Sequence, residues 1–204
     1  MPREWKPPYL SYDETHRRAE AFLNEHNPNR NIPVPIEEIL DLKLNINIVT
    51  LPDLAARITS DSYLEPDLKT IFIDQNVFNF VWRARFSLAH ELGHLLLHRE
   101  FYEIAKYSNS EEYKEARKKL LTPDADRHFE IQAMNFAGLV LVPRVELKAY
   151  FEKAQDMARQ GGIEPDNVPR YFLDYSASWL SKQFAVTGWV IRKRIEFDSL
   201  WEFY

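Results

Sequence analysis

Cysteine is absent from this 204-residue sequence. That excludes disulfides, thiolate zinc sites and cysteine nucleophiles together, so any metal must be held by histidine and carboxylate. It also fits a reducing compartment. No uninterrupted apolar run approaches the ~20 residues needed to cross a bilayer. The opening Met-Pro-Arg-Glu-Trp-Lys-Pro-Pro lacks the apolar stretch of a signal peptide. No membrane association is expected, and the expected location is the cytoplasm. Positive charge is not in excess either. The 26 Lys and Arg stand against 31 Asp and Glu, a net of −5, so electrostatics give no reason to expect non-specific binding to nucleic acid or to a membrane surface. Internal repeats and low-complexity tracts are also missing.

What is present suffices for a sizeable core: 45% of the residues are hydrophobic, and a charged fraction of 28% argues against a disordered tail. The length suits one domain, or one domain with a small appendage. Residues 11–26 read as a helix with Ala19, Phe22 and Leu23 on its apolar stripe, stopped by Asn27-Pro28. Pro33 and Pro35 introduce a short second helix, IEEILDLKL. Leu44, Ile46 and Ile48 alternate with Asn45 and Asn47 as in a half-buried strand. Two further strands are expected at 58–63 and 69–74, with Pro66-Asp67 as the turn between them. The absence of a long crossover between this pair predicts an antiparallel sheet.

After Asp74 the pattern turns helical. Residues 77–98 read as one long, mostly apolar helix, with Leu88, Leu92, Leu95 and Leu96 expected toward the core. A charged helix follows at 108–121. Thr122-Pro123, with Asp124 and Asp126, opens another that runs to about Leu141. A helix over 144–160 closes at Gly161-Gly162, GIEPDNVP is a linker, and 170–196 holds two helical stretches joined around 185–188 in the manner of a helix-turn-helix.

Residues 90–94 read His-Glu-Leu-Gly-His, the H-E-x-x-H pattern of zinc peptidases. Residues four apart stack on one helical face, so His90 and His94 can grip one ion. Glu91 lies ~100° around the helix. It is badly placed as a third ligand and well placed to take a proton from a water at the metal. Histidines and a glutamate in so apolar a helix are costly to desolvate unless something binds them. His98 continues the i+4 series but lies ~12 Å along the axis from His90. That is too far for one ion with zinc–nitrogen bonds of about 2.0–2.1 Å. It reads as a helix-end residue near the C-terminal dipole, or as a residue acting behind the ligands.

Catalytic zinc usually takes three protein ligands. The better candidate for the third is Glu130, which shares one helix face with Ala133 and Ala137. Small residues there allow a close helix approach, and Gly93 is the complementary feature on the motif helix, since a mid-helix glycine costs ~1 kcal/mol against alanine. The residues alone leave Glu130 open between a ligand and a solvated first-turn acid, with His128 and Asp126 as weaker rivals.

Two blocks, RARFSLAHELGHLLLH at 83–98 and EIQAMNFAGLVLVP at 130–143, resemble those of the ImmA/IrrE metallopeptidases. IPVPIEEILDL at 32–42 and IFID at 71–74 are similar more loosely. The resemblance implies Glu130 as third ligand, a gluzincin-type fold, and cleavage of helix-turn-helix repressor proteins. The sequence departs from the family in the longer stretch between His94 and Glu130, which the charged helix fills, and in Leu-Val-Pro where the family reads Leu-Met-Pro.

The expectation is therefore an α+β fold. A small antiparallel sheet packs on the helix carrying His90, Glu91 and His94, with a zinc peptidase domain over 1–145 and a C-terminal helical region over 146–204 packed on it. Zinc is the expected cofactor, with manganese the alternative, bound by His90, His94 and Glu130, and Glu91 is the catalytic base. The partner expected is a protein substrate, a helix-turn-helix repressor. DNA binding is not expected, because five basic against four acidic side chains over 170–204 leave a weak electrostatic footprint. His98, His128, Tyr102 and Arg85 are candidates for oxyanion stabilisation, and the strand at 70–74 could take an extended substrate by edge pairing. The alternative is a zinc-containing protein that sequesters a repressor or antitoxin without cutting it.

Overall fold

The computed structural model describes residues 4–201. Helix α1 (Tyr12–His26) begins where Ser11 accepts the Glu14 amide, and it buries Ala19, Phe22 and Leu23. Helix α2 (Ile36–Glu38) continues into a π-helical turn at Ile39–Lys43. The amides of Leu44 and Ile46 turn back to the carbonyls of Ile39 and Leu40. That commitment delays strand β1 to Asn47–Leu51, three residues later than the alternation from Leu44 suggests.

Helix α3 (Leu54–Ile58) follows, then β2 (Ser62–Leu64) and β3 (Thr70–Asp74). The strand expected from 58 thus begins only at Ser62. The cause is tertiary: Asp74 Oδ2 accepts from the Ala55 amide at 3.0 Å, and left-handed Asp53 and Thr59 bracket the short helix. The sheet has the order β1-β3-β2. The pair β2 and β3 is antiparallel, as the turn at Pro66-Asp67 implies. Strand β1 joins parallel to β3, with Ile48 opposite Ile71, so the sheet is mixed. The segment between β1 and β3 carries α3 and β2, which is long enough for the crossover that parallel pairing needs.

Asp74 then caps α4 (Gln75–Phe78) through the amides of Asn76 and Val77. Extended backbone at Phe80 separates it from α5 (Val81–Leu97), so the long helix expected from 77 is broken once. Leu88 and Leu92 are fully buried and Leu95 partly so, whereas Leu96 is 43% exposed and falls off the core face. The chain continues through α6 (Arg99–Ile104), α7 (Ser110–Leu120), α8 (Pro123–Leu141) and α9 (Arg144–Gln160). Thr122 caps α8 by accepting from the Ala125 amide, with Pro123 at the first helical position. Helices α10 (Pro169–Phe184) and α11 (Gly188–Phe197) complete the chain, joined at left-handed Ala185.

Helices α5 and α8 form the centre of the molecule. They touch backbone to backbone where Gly93 faces Ala133, and a Cβ on Gly93 would lie 3.0 Å from both the Cα and the carbonyl oxygen of Ala133. Helix α1 packs on α8 and the sheet on α5. Helix α11 is tied in by buried Arg194, which donates to the Val142 carbonyl at 3.2 Å and pairs with Asp198 at 2.7 Å.

Replacing Gly93 with alanine tests the close approach. The added methyl has no room unless the helices part, and overpacking of this kind costs about 1–3 kcal/mol, against ~1 kcal/mol gained in helix propensity. The expected result in urea denaturation is net destabilisation. A stabilised Gly93→Ala protein would show that the two helices are free to separate.

Candidate metal centre

The motif helix delivers its residues as the period of 3.6 requires. His90 and His94 lie one turn apart on α5, with their Nε2 atoms 3.0 Å from each other. Glu130 reaches them from about two turns into α8. Its Oε2 is 3.1 Å from His90 Nε2, and its Oε1 is 3.8 Å from His94 Nε2. Zinc bonds of ~2.0–2.1 Å at tetrahedral angles would put ligand atoms ~3.3 Å apart, so these separations bracket what one ion needs. The three residues form a group that can hold a metal ion.

Glu91 leaves this face, as its place in the helix implies. It is 1% exposed, and the hydroxyl of Ser62 on β2 donates to its Oε1 at 2.7 Å. Its Oε2 has no hydrogen-bond partner among the described residues. Burial raises the Glu91 pKa above the ordinary carboxylate value, against the opposing pull of His90 and of the Ser62 hydrogen bond. A carboxyl tuned upward is suited to taking up a proton and giving it back.

Arg117 on α7 is the residue that sequence reasoning missed. Its Nη2 lies 2.7 Å from Glu130 Oε1 and its Nε 2.9 Å from Asp126 Oδ1. The contact to Glu130 is one of charge without hydrogen-bond alignment, which leaves Glu130 Oε1 without a donor among the described residues. Burial works against ionisation of Glu130, but the hydrogen bond and charge of His90, with Arg117, outweigh it and hold the carboxyl down at about 2. Glu130 is thus an anion, the form in which a carboxyl group can ligate a metal. In the sequence Arg117 is one of many charges in EEYKEARKK, and no local signal separates it from its neighbours.

Behind His90 and His94 stands His98, buried at the end of α5. Its Nδ1 meets His94 Nδ1 at 3.0 Å, and its Nε2 meets the side-chain oxygen of Gln132 at 2.8 Å. Burial depresses both imidazoles, His98 to about 4, so both are neutral near pH 7. Phe129 lies against both rings, 4.1 Å from the centre of His94 and 4.4 Å from that of His98.

The remaining candidates lie elsewhere or are engaged. His128 is exposed and lines a different cleft, with Pro8 and Ile131. Asp126 is committed to Arg117. Arg85 is buried and ties Glu37, the Val34 carbonyl and the Ala185 carbonyl together. Tyr102 is buried, with a hydroxyl that has no partner among the described residues. A cleft of about 610 Å³ opens beside Glu130, walled by Tyr113, Lys114, Arg117 and Lys118 of α7 and by Ile58 to Ser60.

Comparison with known proteins follows the same lines. The model of peptidase family M78, the IrrE N-terminal-like domain, matches residues 42–173. A Mycobacterium tuberculosis transcriptional regulator of known structure is similar in fold, with a TM-score of 0.51 and 18% sequence identity. The match covers 90% of this chain and 46% of the regulator, so the chain spans about half the length of that neighbour. No curated protein matches significantly.

The geometry predicts one metal ion per chain. Metal analysis should find it retained by His128→Ala and severely depleted in His94→Ala and Glu130→Ala. Full occupancy in Glu130→Ala with loss in His128→Ala would reverse the assignment of the third ligand.

Proposed function

The chain belongs to peptidase family M78, the IrrE N-terminal-like domains, and from that premise we propose that it is a zinc-dependent endopeptidase acting in the cytoplasm on one intracellular protein, a helix-turn-helix repressor. The observation that carries the enzymatic reading is the pairing of two features: a His-His-Glu group that can hold a metal, and a separate buried carboxyl, Glu91, with one oxygen tethered by Ser62 and the other unengaged. A purely structural metal site has no use for the second feature. The peptidase unit is assigned to 1–145 and the helices of 146–204 to a support packed on it.

His90, His94 and Glu130 would hold the ion, with manganese as the alternative to zinc. When bound, such an ion supplies Lewis acidity toward a peptide carbonyl and toward water. Glu91 accepts the proton of the attacking water at Oε2 while Ser62 keeps the carboxyl from turning. It then returns that proton to the departing amine nitrogen, which completes the cleavage without net proton change at Glu91. The cleft walled by α7 receives the polypeptide. At about 610 Å³ it admits a short extended stretch rather than a folded domain.

The repressor assignment draws on the resemblance of the two sequence blocks to the ImmA/IrrE peptidases. The fold likeness to a transcriptional regulator agrees with a regulatory setting. A DNA-binding repressor is usually basic and this chain has a net charge of −5, so association gains from long-range attraction and weakens with salt.

Two outcomes are expected. Glu91→Gln keeps its metal and loses cleavage by at least about 100-fold, in line with removal of a general base; equal turnover by variant and parent would take Glu91 out of the mechanism. In parallel assays a helix-turn-helix repressor from the same cell, such as any encoded beside this protein's gene, is cut at one or a few bonds, more slowly at high salt, and casein is left intact. Rapid digestion of casein with the repressor untouched would refute the specificity. A repressor bound by the metal-loaded protein and never cut would establish sequestration instead.

A further inference from the structure

The reading of a metal at His90, His94 and Glu130 requires His94 to present a bare lone pair at Nε2, and the polar groups behind it supply one. The chain of contacts runs His94 Nδ1 to His98 Nδ1 at 3.0 Å, His98 Nε2 to Gln132 Oε1 at 2.8 Å, and Gln132 Nε2 to the carbonyl of Pro8 at 2.8 Å. Its direction is decided at the far end. A carbonyl oxygen only accepts, so the Gln132 atom facing Pro8 must be the amide nitrogen. The amide oxygen then faces His98 and can only accept, so His98 carries its proton on Nε2. Its Nδ1 is left as an acceptor, which places a proton on His94 Nδ1. A neutral imidazole has one proton, and His94 Nε2 is therefore bare.

From this geometry we infer that Gln132 and His98 are positioning residues that set the tautomer of His94, polarising it toward the ion from an anchor on the Pro8 carbonyl. The inference rests on the metal reading for its purpose, but not for its structure, since the relay exists without an ion. The rings cannot turn away to relax it. Phe129 stacks on His98 at 4.4 Å and lies against His94 at 4.1 Å, and Trp5 meets His98 edge-on at 6.1 Å. The link is also long in sequence. Pro8 and Gln132 are 124 residues apart, so the N-terminal segment becomes part of the support of the centre. Partners of this kind, which hold the second nitrogen of a ligating histidine, typically contribute 10–100-fold to metal affinity.

The test begins with the metal-free parent protein at pH 7.5, labelled with 15N-histidine and observed by long-range 1H–15N correlation NMR. His94 is expected as the Nδ1–H tautomer and His98 as the Nε2–H tautomer. A proton on His94 Nε2, or on His98 Nδ1, overturns the inference. Gln132→Leu preserves shape but cuts the anchor. His94 and His98 should then show mixed tautomers, and the zinc dissociation constant measured by chelator competition should rise by 10–100-fold. Unchanged tautomers and unchanged zinc affinity in a folded Gln132→Leu protein also overturn it. Failure of the parent to bind zinc while its tautomers are as expected supports the relay and removes the metal reading, so the two are separable.

Discussion

Everything at the centre depends on how closely two helices can approach. The polar atoms of His90, His94 and Glu130 come from α5 and α8, and the separations of 3.1 and 3.8 Å between them are fixed by how these two helices pack. Gly93 and Ala133 make that contact, and even one methyl on Gly93 would fall 3.0 Å from the opposing backbone. The glycine therefore weakens its own helix so that the helix can face another. Gly93 also stands between Glu91 and His94, which makes the packing contact and the polar face parts of one turn. The mixed sheet and helix α1 then flank this pair and enclose the polar groups in an apolar shell.

Enclosure creates the second constraint, because buried polar groups need partners. Most find them at a distance in sequence. Ser62 on an edge strand donates to Glu91, Gln132 bridges His98 to Pro8, and Arg117 supplies positive charge to Glu130 and Asp126. The oxygens that remain without donors among the described residues include Glu91 Oε2 and Glu130 Oε1. Both belong to residues given a working role in the proposed function. An oxygen without a donor keeps its lone pairs free, which is the condition for taking up a proton or meeting a cation.

The local part of this arrangement was legible in the sequence. The placement of His90 and His94 on one face, and of Glu91 beside it, follows from the period of one helix. The caps at Ser11 and Thr122 follow from single side chains. Axial distance argued His98 out of the expected ligand set, but it left open whether the residue stands at a helix end or behind His90 and His94. Only the contacts to His94 and Gln132 decide that. Glu130 was an intermediate case: the small-residue face beside it was visible, while its meeting with α5 required the resemblance or the structure. Ser62, Gln132 and Arg117 were beyond reach because their roles depend on partners 29, 34 and 13 positions away, and no periodicity encodes such pairings. For the same reason the parallel join of β1 to β3 was missed: alternation reports a strand's faces and carries no information about its neighbour's direction.

Arg117 gives the charged helix between His94 and Glu130 a physical meaning. An inserted surface helix with solvated charges would leave the centre unaffected. Helix α7 instead buries Tyr113 against Tyr63, stacked at 5.3 Å, and lays Arg117 against Glu130. A fixed positive charge there has two opposed effects. It keeps Glu130 ionised and oriented, which favours a cation, and it repels that cation through space, which disfavours one. The first effect is strong because Glu130 is in direct contact with the guanidinium. The second is weaker because Asp126 accepts from the same guanidinium and neutralises part of its field. Asp126 is thus not a rival ligand but the counter-charge that lets an arginine stand beside a candidate metal centre. The same helix walls the cleft with Lys114 and Lys118, so the segment that meets Glu130 also sets the charge of the opening beside it.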